Sequence, residues 1–394
     1  MKPISWTMLV LLALITTPFS LLQQEYRSLH FSSLVADAHN DVLLRVMAGR
    51  DISTRSREGH SDLVRLNQGG VDVQVFSVWM SQEYGTGKGF RQANRMIDSL
   101  ESIINRNPGK IALARGAREA EQIVASKKIA ALIGVEGGHA IENSLDYLGQ
   151  LHARGMRYMT LTWNNSTPWA TSAKDGTERP DSLPHKGLTE FGKQIVRRMN
   201  ELGVMVDLSH VGEQTFYDAL AVTSKPVILS HSSVYALAPH FRNLKDDQIR
   251  AVAKNGGVMC INFYAGFLDS AYEGKAAAVR TGKARLVDSV KTLYTDADHA
   301  DQIIDSLLAG ELDAVRPPLS ILIDHVDYVV RLVGDDYVGL GSDFDGVSAL
   351  PKEMDDVTFL PNITRELKNR GYSDVSIRKI LGGNFMRVFA ASAP

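Results

Sequence analysis

Eight short apolar runs recur along this chain, separated by segments with the apolar spacing of helices. Most of the runs are apolar at successive positions, which is typical of parallel strands covered by helices on both faces. Two of the intervening segments, 89–106 and 188–203, read as helices, and Gly203 suits a helix C-cap. Strand and helix repeated eight times predict an α/β fold, a (β/α)8 TIM barrel. The predicted strands are 34–39, 71–80, 129–136, 158–163, 204–210, 226–231, 257–263 and 337–343.

The alternative is an open, doubly wound sheet, but no Gly-x-Gly-x-x-Gly motif follows the first strand. The interval 264–336 between the last two strands is long and contains a charged, alanine-rich stretch at 270–310. We interpret it as a helical insertion at the barrel mouth within one catalytic domain, 29–394. The final segment predicts a closing helix with a kink at Gly382–Gly383.

The first 28 residues differ from the rest. Lys2 is followed by an uncharged run over 3–22 that resembles an export signal and is also long enough to span a bilayer, which takes roughly 20 residues. No clear cleavage site follows the run. We expect segment 1–28 to be a signal peptide or a membrane anchor, with a buried terminal helix as the third interpretation. The expected location is therefore periplasmic or extracellular, with membrane attachment through this segment if it is not cleaved.

The amino-acid composition limits which partners and which metal ligands this chain can have. The 394 residues include 44% hydrophobic and 22% charged ones with a net charge of −2, and no basic stripe indicates a nucleic-acid partner. Cys260 is the one cysteine of the sequence, which excludes a disulfide framework and a cysteine-ligated metal. Any metal must therefore be held by histidine, aspartate and glutamate.

Such residues appear where five of the predicted strands end, and barrel active sites form at the carboxyl ends of strands. A single one of them is more often a hydrogen-bonded core residue, a cap or a turn residue. Taken together they indicate a metal site, because no lysine or arginine flanks them and buried carboxylates are costly unless paired. Asn40, between the first two, should point away and cap the turn. The six residues are His39, Asp41, Glu136, His210, His231 and Asp343.

Two metal ions fit this set better than one. A catalytic zinc takes about three protein ligands, and a carboxylate such as Glu136 can bridge two ions through its two oxygens. Histidine-rich ligation favours zinc over calcium or magnesium. Two ions would share a water and lower its pKa, which would give a hydroxide at neutral pH.

Seven motifs in order resemble the membrane dipeptidase family of zinc metallopeptidases, which is related to the amidohydrolases. They cover about 34–390: DAHND, GVEGG, MTLTWNNSTPWA, VDLSH, SHSSVYALAPHFRN, GLGSDFDG and GGNFMRVF. The resemblance implies a (β/α)8 barrel with two zinc ions that hydrolyses dipeptides and tolerates a D-residue at the C-terminal position. It also implies a homodimer.

Carried over by motif, the resemblance implies that Glu136 bridges the two zinc ions. Arg242 then binds the C-terminal carboxylate of the dipeptide, a role that suits a guanidinium fork. Asp343 meets the substrate amine and transfers the proton to the leaving group while a bridging hydroxide attacks the carbonyl. The implied zinc ligands are His39, Asp41, Glu136, His210 and His231.

One position departs from the family pattern. Where animal members place a histidine that stabilises the oxyanion, this chain has Trp163, followed by Asn164 and Asn165. Tryptophan offers a single N–H donor, so Asn164 or Asn165 supplies the oxyanion donor, or the zinc does so alone. Trp163 and Asn164 are expected to contact the substrate, unless Trp163 only lines the pocket. Because of this departure, one alternative is an exported protein that binds metal and dipeptide without catalysis. Another two-metal hydrolase is the second alternative, although the first strand lacks its usual His-x-His and the fourth lacks a lysine.

Overall fold

The computed structural model describes residues 24–80, 85–294 and 297–394. In these ranges nine parallel strands form one sheet, in the order β2-β1-β9-β8-β7-β6-β5-β4-β3, and the pairing of β2 with β4 closes eight of them into a barrel. The predicted TIM barrel is confirmed. The strands are β1 (Ala36–Asn40), β2 (Val73–Trp79), β3 (Ile111–Leu113), β4 (Ile129–Glu136), β5 (Met156–Thr160), β6 (Met205–Asp207), β7 (Ile228–Ser232), β8 (Val258–Ile261) and β9 (Val338–Leu340).

The sequence pattern did not predict β3, the strand outside the eight. It pairs with the first residues of β4, Ile111 beside Ile129, whereas β5 pairs with β4 only from Ile133 onward. Three residues are too few to show an alternating or continuous apolar pattern. The short strand fills the edge of β4 that β5 leaves open.

Helices cover the barrel on its outside. The helix α1 occupies 24–32, and α4 extends the predicted 89–106 by four residues at its start. The other helices are α2 (Val42–Met47), α3 (Leu63–Gln68), α4 (Gly85–Arg106), α5 (Ala117–Ala125), α6 (Leu145–Ala153), α7 (Ala173–Glu178), α8 (Glu190–Leu202), α9 (Glu213–Val222), α10 (Asp246–Asn255), α11 (Ala265–Leu268), α12 (Tyr272–Gly282), α13 (Ala284–Leu293), α14 (Ala297–Leu307), α15 (Ala309–Val315), α16 (Leu319–Val333), α17 (Pro361–Asn369), α18 (Asp374–Arg378) and α19 (Asn384–Ser392).

The helix α8 shows how local sequence sets these bounds. The hydroxyl of Thr189 accepts a hydrogen bond from the backbone N–H of Gly192, which satisfies a donor of the first turn. Gly203 ends the helix with φ 74°, a left-handed conformation that costs glycine little. The predicted C-cap at Gly203 is confirmed. At the chain's end, a π-helical turn, Lys379–Gly383, joins α18 to α19 where the glycine kink was expected.

Among the described residues between β8 and β9, where the sequence predicts an insertion, six helices are present, α11 to α16. The helix α16 packs on the barrel strands, α11 to α14 line the mouth, and α15 packs against α12 and α14. The helices α13 to α15 share a small apolar cluster of their own, centred on Val290, Ala300 and Ile304. That cluster braces one wall of the mouth.

Five of the eight barrel strands end earlier than their apolar runs suggest, whereas β4 ends where predicted and β1 and β7 end one residue later. The run 158–163 becomes β5 ending at Thr160, and His210 and Asp343 each lie three residues beyond the ends of β6 and β9. Both of these residues adopt left-handed backbone conformations, with φ of 65° and 60°. The apolar pattern continues past each strand because the first loop residues at the rim are buried as well.

The helix α1 packs at the amino-terminal end of the barrel. Nε2 of His30 lies 2.8 Å from the carbonyl oxygen of Gly69, just before β2, and Glu25 pairs with Lys368 at 3.0 Å. Glu25, within the predicted signal or anchor segment, is therefore in contact with α17, while 1–23 lie outside the described residues. Within the described ranges, no helix has the length and apolar character needed to cross a bilayer.

Candidate metal centre and substrate cavity

Glu136, the last residue of β4, stands at the centre of the rim. Its Oε1 lies 2.9 Å from Nε2 of His210 and 3.3 Å from Nε2 of His231, and its Oε2 lies 3.4 Å from Nε2 of His39. Each carboxylate oxygen therefore faces a different set of imidazoles. This is the arrangement that a bridging carboxylate requires.

Asp41 and Asp343 complete the cluster on the β1 and β9 side. Oδ2 of Asp41 lies 3.4 Å from Nε2 of His39, and ligand atoms of His39, Asp41 and Asp343 lie within 4.8 Å of one another. Gly346 allows this approach, since a Cβ there would come within 2.1 Å of Oδ2 of Asp41 and 2.6 Å of Oδ1 of Asp343. The structure thus brings together all six strand-end residues that the sequence singled out.

Each of the three histidines has its Nδ1 atom held by an oxygen. Nδ1 of His39 lies 2.8 Å from the hydroxyl of Tyr158, which itself donates to the carbonyl oxygen of Ala38 at 3.2 Å. The Tyr158 hydroxyl must therefore accept from the imidazole, so Nδ1 of His39 carries the proton. Nδ1 of His210 lies 3.1 Å from Oδ1 of Asn164, an atom that can only accept.

His231 is held through a longer chain of contacts. Its Nδ1 lies 2.7 Å from the hydroxyl of Ser230, which donates to Oδ2 of the buried Asp207 at 2.6 Å. The serine hydroxyl has one hydrogen, so it accepts from the imidazole. In all three histidines Nδ1 then carries a proton and Nε2 points into the cluster, which is how outer contacts commonly orient metal-binding histidines.

The electrostatics of the cluster favour a positive charge at its centre. Burial by itself would lower the pKa of His39, but the neighbouring groups, Glu136 and Asp41 among them, outweigh it and raise that pKa well above its usual value. Burial lowers the pKa of His210 to about 4, and burial with the nearby His39 lowers the pKa of His231, so both stay neutral. Neutral imidazoles facing two carboxylates are a suitable ligand set for a divalent cation.

Unsatisfied polar atoms support the same conclusion. Nε2 of His39 and Oδ1 of Asp41 are buried and have no hydrogen-bond partner in the described part of the chain. Nε2 of His210 and Nε2 of His231 lie only 3.0 Å apart. Buried polar groups without partners are costly, and coordination to a metal ion would satisfy all four atoms.

Arg242 lies beside this cluster in the loop after β7. Its guanidinium is buried, donates to the carbonyl oxygen of His231 at 3.1 Å and lies over the ring of Phe267 at 5.6 Å. Burial lowers the pKa of Arg242 to about 10, which leaves it charged at neutral pH. Its Nε has no partner among the described residues, so the group can still bind an anion.

Asp343 is held by Asn262 from the loop after β8, whose amide donates to Oδ2 at 2.8 Å. Burial, and then the charge of Asp41, raise the pKa of Asp343 to about 8. With Oδ2 engaged, Oδ1 is the atom that can carry and exchange a proton. Asn262 was not among the residues that the sequence singled out.

The remaining predicted residues have different surroundings. Trp163 is half-buried, and its ring centroid lies 6.3 Å from that of His210. Asn164 uses its Oδ1 on His210, so its side-chain oxygen orients a histidine. The predicted cap by Asn40 is confirmed, because its Oδ1 accepts from the backbone N–H of Val42 at 2.9 Å.

A cavity of about 1070 Å³ opens above the cluster. Arg242 and Asp343 line it together with Trp79 and Trp163, and helices α12 to α14 form its outer wall. The ligand-type side chains, a buried arginine and a protonatable carboxyl therefore face one space. Its size suits a small substrate.

A family model described as membrane dipeptidase, peptidase family M19, matches residues 23–393. The chain belongs to this family. It is 32% identical over 388 residues to an uncharacterized dipeptidase of Schizosaccharomyces pombe, with 94% of this chain and 83% of that protein covered. It is therefore a metallopeptidase-family hydrolase of the dipeptidase type, and the resemblance seen in its motifs is confirmed.

Solved structures of similar proteins have the same fold. The probable dipeptidase PvdM from Pseudomonas aeruginosa is 26% identical, with a TM-score of 0.79 over 95% of this chain and 99% of that chain. A metallo peptidase from Rhodobacter sphaeroides, liganded with a phosphinate mimic of the dipeptide L-Ala-D-Ala, is 24% identical, with a TM-score of 0.75 over 92% and 100% of the two chains. Membership of this family implies a metal cofactor, which the His39–Glu136–His231 and His39–Asp41–Asp343 groups are placed to bind.

The sequence did not point to Tyr158 or Trp79, which the structure places at the site. Tyr158 is the third residue of β5 and Trp79 the last of β2, and both read there as ordinary apolar strand residues. One signal was present for Tyr158. Gly134, in the middle of β4, has no side chain, and a Cβ there would come within 2.1 Å of the Tyr158 ring. A glycine inside a buried strand indicates such a close approach.

Proposed function

We propose that this protein hydrolyses dipeptides with two zinc ions, tolerates a D-residue at the C-terminal position, and uses an activated water as the nucleophile. The observation that carries the proposal is the set of three imidazoles whose Nε2 atoms converge on the carboxylates of Glu136 and Asp41. The tolerance of a D-residue is supported by the L-Ala-D-Ala mimic bound in the Rhodobacter sphaeroides protein. The proposed zinc ligands are His39, Asp41, Glu136, His210 and His231.

Two side chains of the protein, Arg242 and Asp343, bind the two ends of the substrate and transfer the proton. When bound, the zinc ions would act as Lewis acids and lower the pKa of the attacking water. Arg242 binds the C-terminal carboxylate of the dipeptide and sets one end of the substrate. Asp343 lies at the amino end of the substrate, and its Oδ1 would take up the proton that the attacking water loses and pass it to the leaving amine. A cation and a carboxyl at opposite ends limit the substrate to about two residues.

A dipeptide panel tests the function. Purified protein is offered L-L and L-D dipeptides after zinc loading, after chelation and after zinc is restored. We expect cleavage that disappears with the metal and returns with it. Absence of metal-dependent cleavage from the whole panel, with zinc and dipeptide still bound, would refute the dipeptidase and leave a binding protein.

Matched variants test the ligand set. His39→Ala and Asp41→Ala should each lose one zinc per chain and most of the activity. Asn40→Ala, between them, should retain both ions and the activity, since its side chain contacts Val42 and Ser61 rather than the cluster. Two zinc ions in either ligand variant, counted by metal analysis, would contradict the assignment.

We also propose that the protein is exported through its N-terminal segment and forms a homodimer, both on the basis of the sequence expectations. The mass of the mature N-terminus and cell fractionation test the first. Light scattering of the zinc-loaded protein tests the second. An uncleaved chain recovered in the cytoplasm, or a monomer at micromolar concentration, would contradict them.

A further inference from the structure

Two tryptophan rings in the mouth cavity have no role in the chemistry proposed above. Trp79 ends β2, and Trp163 lies three residues after β5. Their ring centroids are 5.1 Å apart with an angle of 78° between the planes, an edge-to-face pair. Both side chains are half-buried and line the cavity. Aromatic surface left open inside a substrate cavity indicates a ligand contact.

The strand register places this pair next to the metal centre. Trp79 is the partner of Glu136 where β2 pairs with β4, and Thr160 is the partner of Glu136 where β5 pairs with β4. Trp79 therefore ends the strand on one side of β4, and Trp163 lies in the loop that follows the strand on its other side. Leu44, from α2, adds an apolar group to the same wall.

The order of strands around the barrel indicates which part of a dipeptide this wall meets. Arg242 follows β7, and the strand four places around the eight-stranded barrel from β7 is β2. Asp343 follows β9, and the strand four places from β9 is β5. The two substrate-holding groups therefore lie across the cavity from the two tryptophans.

A dipeptide held this way has its carboxylate at Arg242 and its amine at Asp343. The amine and the side chain of the N-terminal residue leave the same carbon atom in different directions. When the amine points to Asp343, the side chain points away from Asp343 and can reach the far wall. That wall consists of Trp79, Trp163 and Leu44.

We propose that Trp79 and Trp163 form the subsite for the side chain of the substrate's N-terminal residue and select large apolar side chains. The proposal rests on the proposed dipeptidase function. Two indole faces would be covered by a leucine or phenylalanine side chain, whereas alanine would leave them exposed. Because each buried methylene is worth roughly 10-fold or more in discrimination, this wall favours bulky N-terminal residues.

The test is a substrate series on the zinc-loaded enzyme, Xaa-Ala with Gly, Ala, Leu, Phe or Lys at the N-terminal position. We expect kcat/KM for Leu-Ala and Phe-Ala to exceed that for Ala-Ala by roughly 10-fold or more. Trp79→Ala and Trp163→Ala should reduce this ratio toward one, and Trp79→Phe should restore most of it. Tyr217→Ala removes an exposed aromatic ring outside the cavity and should leave the ratio unchanged.

A second readout, which does not depend on cleavage of the Xaa-Ala series, is competitive inhibition of one fixed dipeptide substrate by the free amino acids. L-phenylalanine should inhibit more strongly than L-alanine in the wild type, and this difference should shrink in Trp79→Ala and Trp163→Ala.

The outcomes separate the subsite from the function. If no dipeptide is cleaved, the proposed function fails. If Ala-Ala and Phe-Ala are cleaved equally well, or Lys-Ala is preferred, the function stands and the apolar subsite is overturned. If Trp163→Phe lowers kcat for every substrate alike by roughly 10²–10³-fold, the indole N–H is an oxyanion donor, and the selective role of Trp163 is overturned.

Discussion

The hydroxyl of Tyr158 offers the sharpest test of how the metal centre is held. Tyr158 is fully buried, and its hydroxyl links Nδ1 of His39 at 2.8 Å to the carbonyl oxygen of Ala38 at 3.2 Å. Tyr158→Phe removes that one oxygen and keeps the ring against Gly134. The imidazole then has a buried N–H without an acceptor, and the orientation and tautomer of His39 lose their support.

The expected magnitude follows from these contacts. A buried donor left unsatisfied costs about 1–3 kcal/mol. Loss of the outer contact of a metal-binding histidine weakens metal affinity by about 10–100-fold, which corresponds to about 1.4–2.7 kcal/mol. We therefore expect zinc affinity to fall within that range, and the metal-free protein to lose about 1–3 kcal/mol of unfolding free energy.

Zinc affinity is measured by competition with a chromogenic chelator, and unfolding free energy by urea titration of the metal-free protein. Tyr217→Phe, at a Tyr that is 36% exposed, is the control and should change neither. A Tyr158→Phe protein that binds zinc within twofold of the wild type would refute the proposed orientation of His39.

Three further predictions concern other parts of the molecule. His325 accepts from the backbone N–H of Val234 on Nδ1 and contacts the carbonyl oxygen of Leu268 with Nε2, and burial lowers its pKa from 6.5 to about 4. Neutral His325 contributes its full stability above pH 6.5, and this contribution is lost as the pH falls toward 4. His325→Gln should therefore lower the free energy of unfolding, measured by urea titration, by at most about 3 kcal/mol at pH 7.5 and by progressively less at lower pH. A difference between wild type and variant that stays constant with pH would contradict this. Gly346→Ala should lower activity by about 100-fold or more with unchanged circular dichroism, because the added Cβ would clash with the carboxylate of Asp41. Normal activity would show that the loop moves to accommodate the methyl group. Arg242→Lys should raise KM by about 10–100-fold with little change in kcat. A KM equal to that of the wild type would show that Arg242 does not bind the C-terminal carboxylate of the substrate.

The ligand-type residues could be predicted because they sit next to strongly apolar strands. His39, Glu136 and His231 each end or nearly end a run that reads as a buried strand, and parallel strands bring their carboxyl ends to one rim. The repeat of strand and helix therefore predicts that these side chains meet at one rim, although the sequence gives no distances between them. The exact strand ends were less predictable, since His210 and Asp343 lie in loops whose burial continues the apolar pattern.

The contacts that orient those residues join positions far apart in the chain. Tyr158 reaches His39 across 119 residues, and Asn262 reaches Asp343 across 81. Neither carries a local pattern, because a tyrosine in a buried strand and an asparagine after one are compatible with many environments. The three-residue β3 was missed for a related reason, as it is too short for any periodicity.

Apolar runs and their polar endings were enough to predict a barrel and the histidine and carboxylate side chains that meet at one rim of it, because the burial of a strand leaves a pattern in the local sequence. Which nitrogen of each imidazole faces the cluster, which wall Trp79 and Trp163 form, and why Gly134 and Gly346 must lack a side chain depended on the closed barrel. Those features arise from the side-by-side packing of strands and loops that are distant in sequence, and only the folded arrangement brings them into contact.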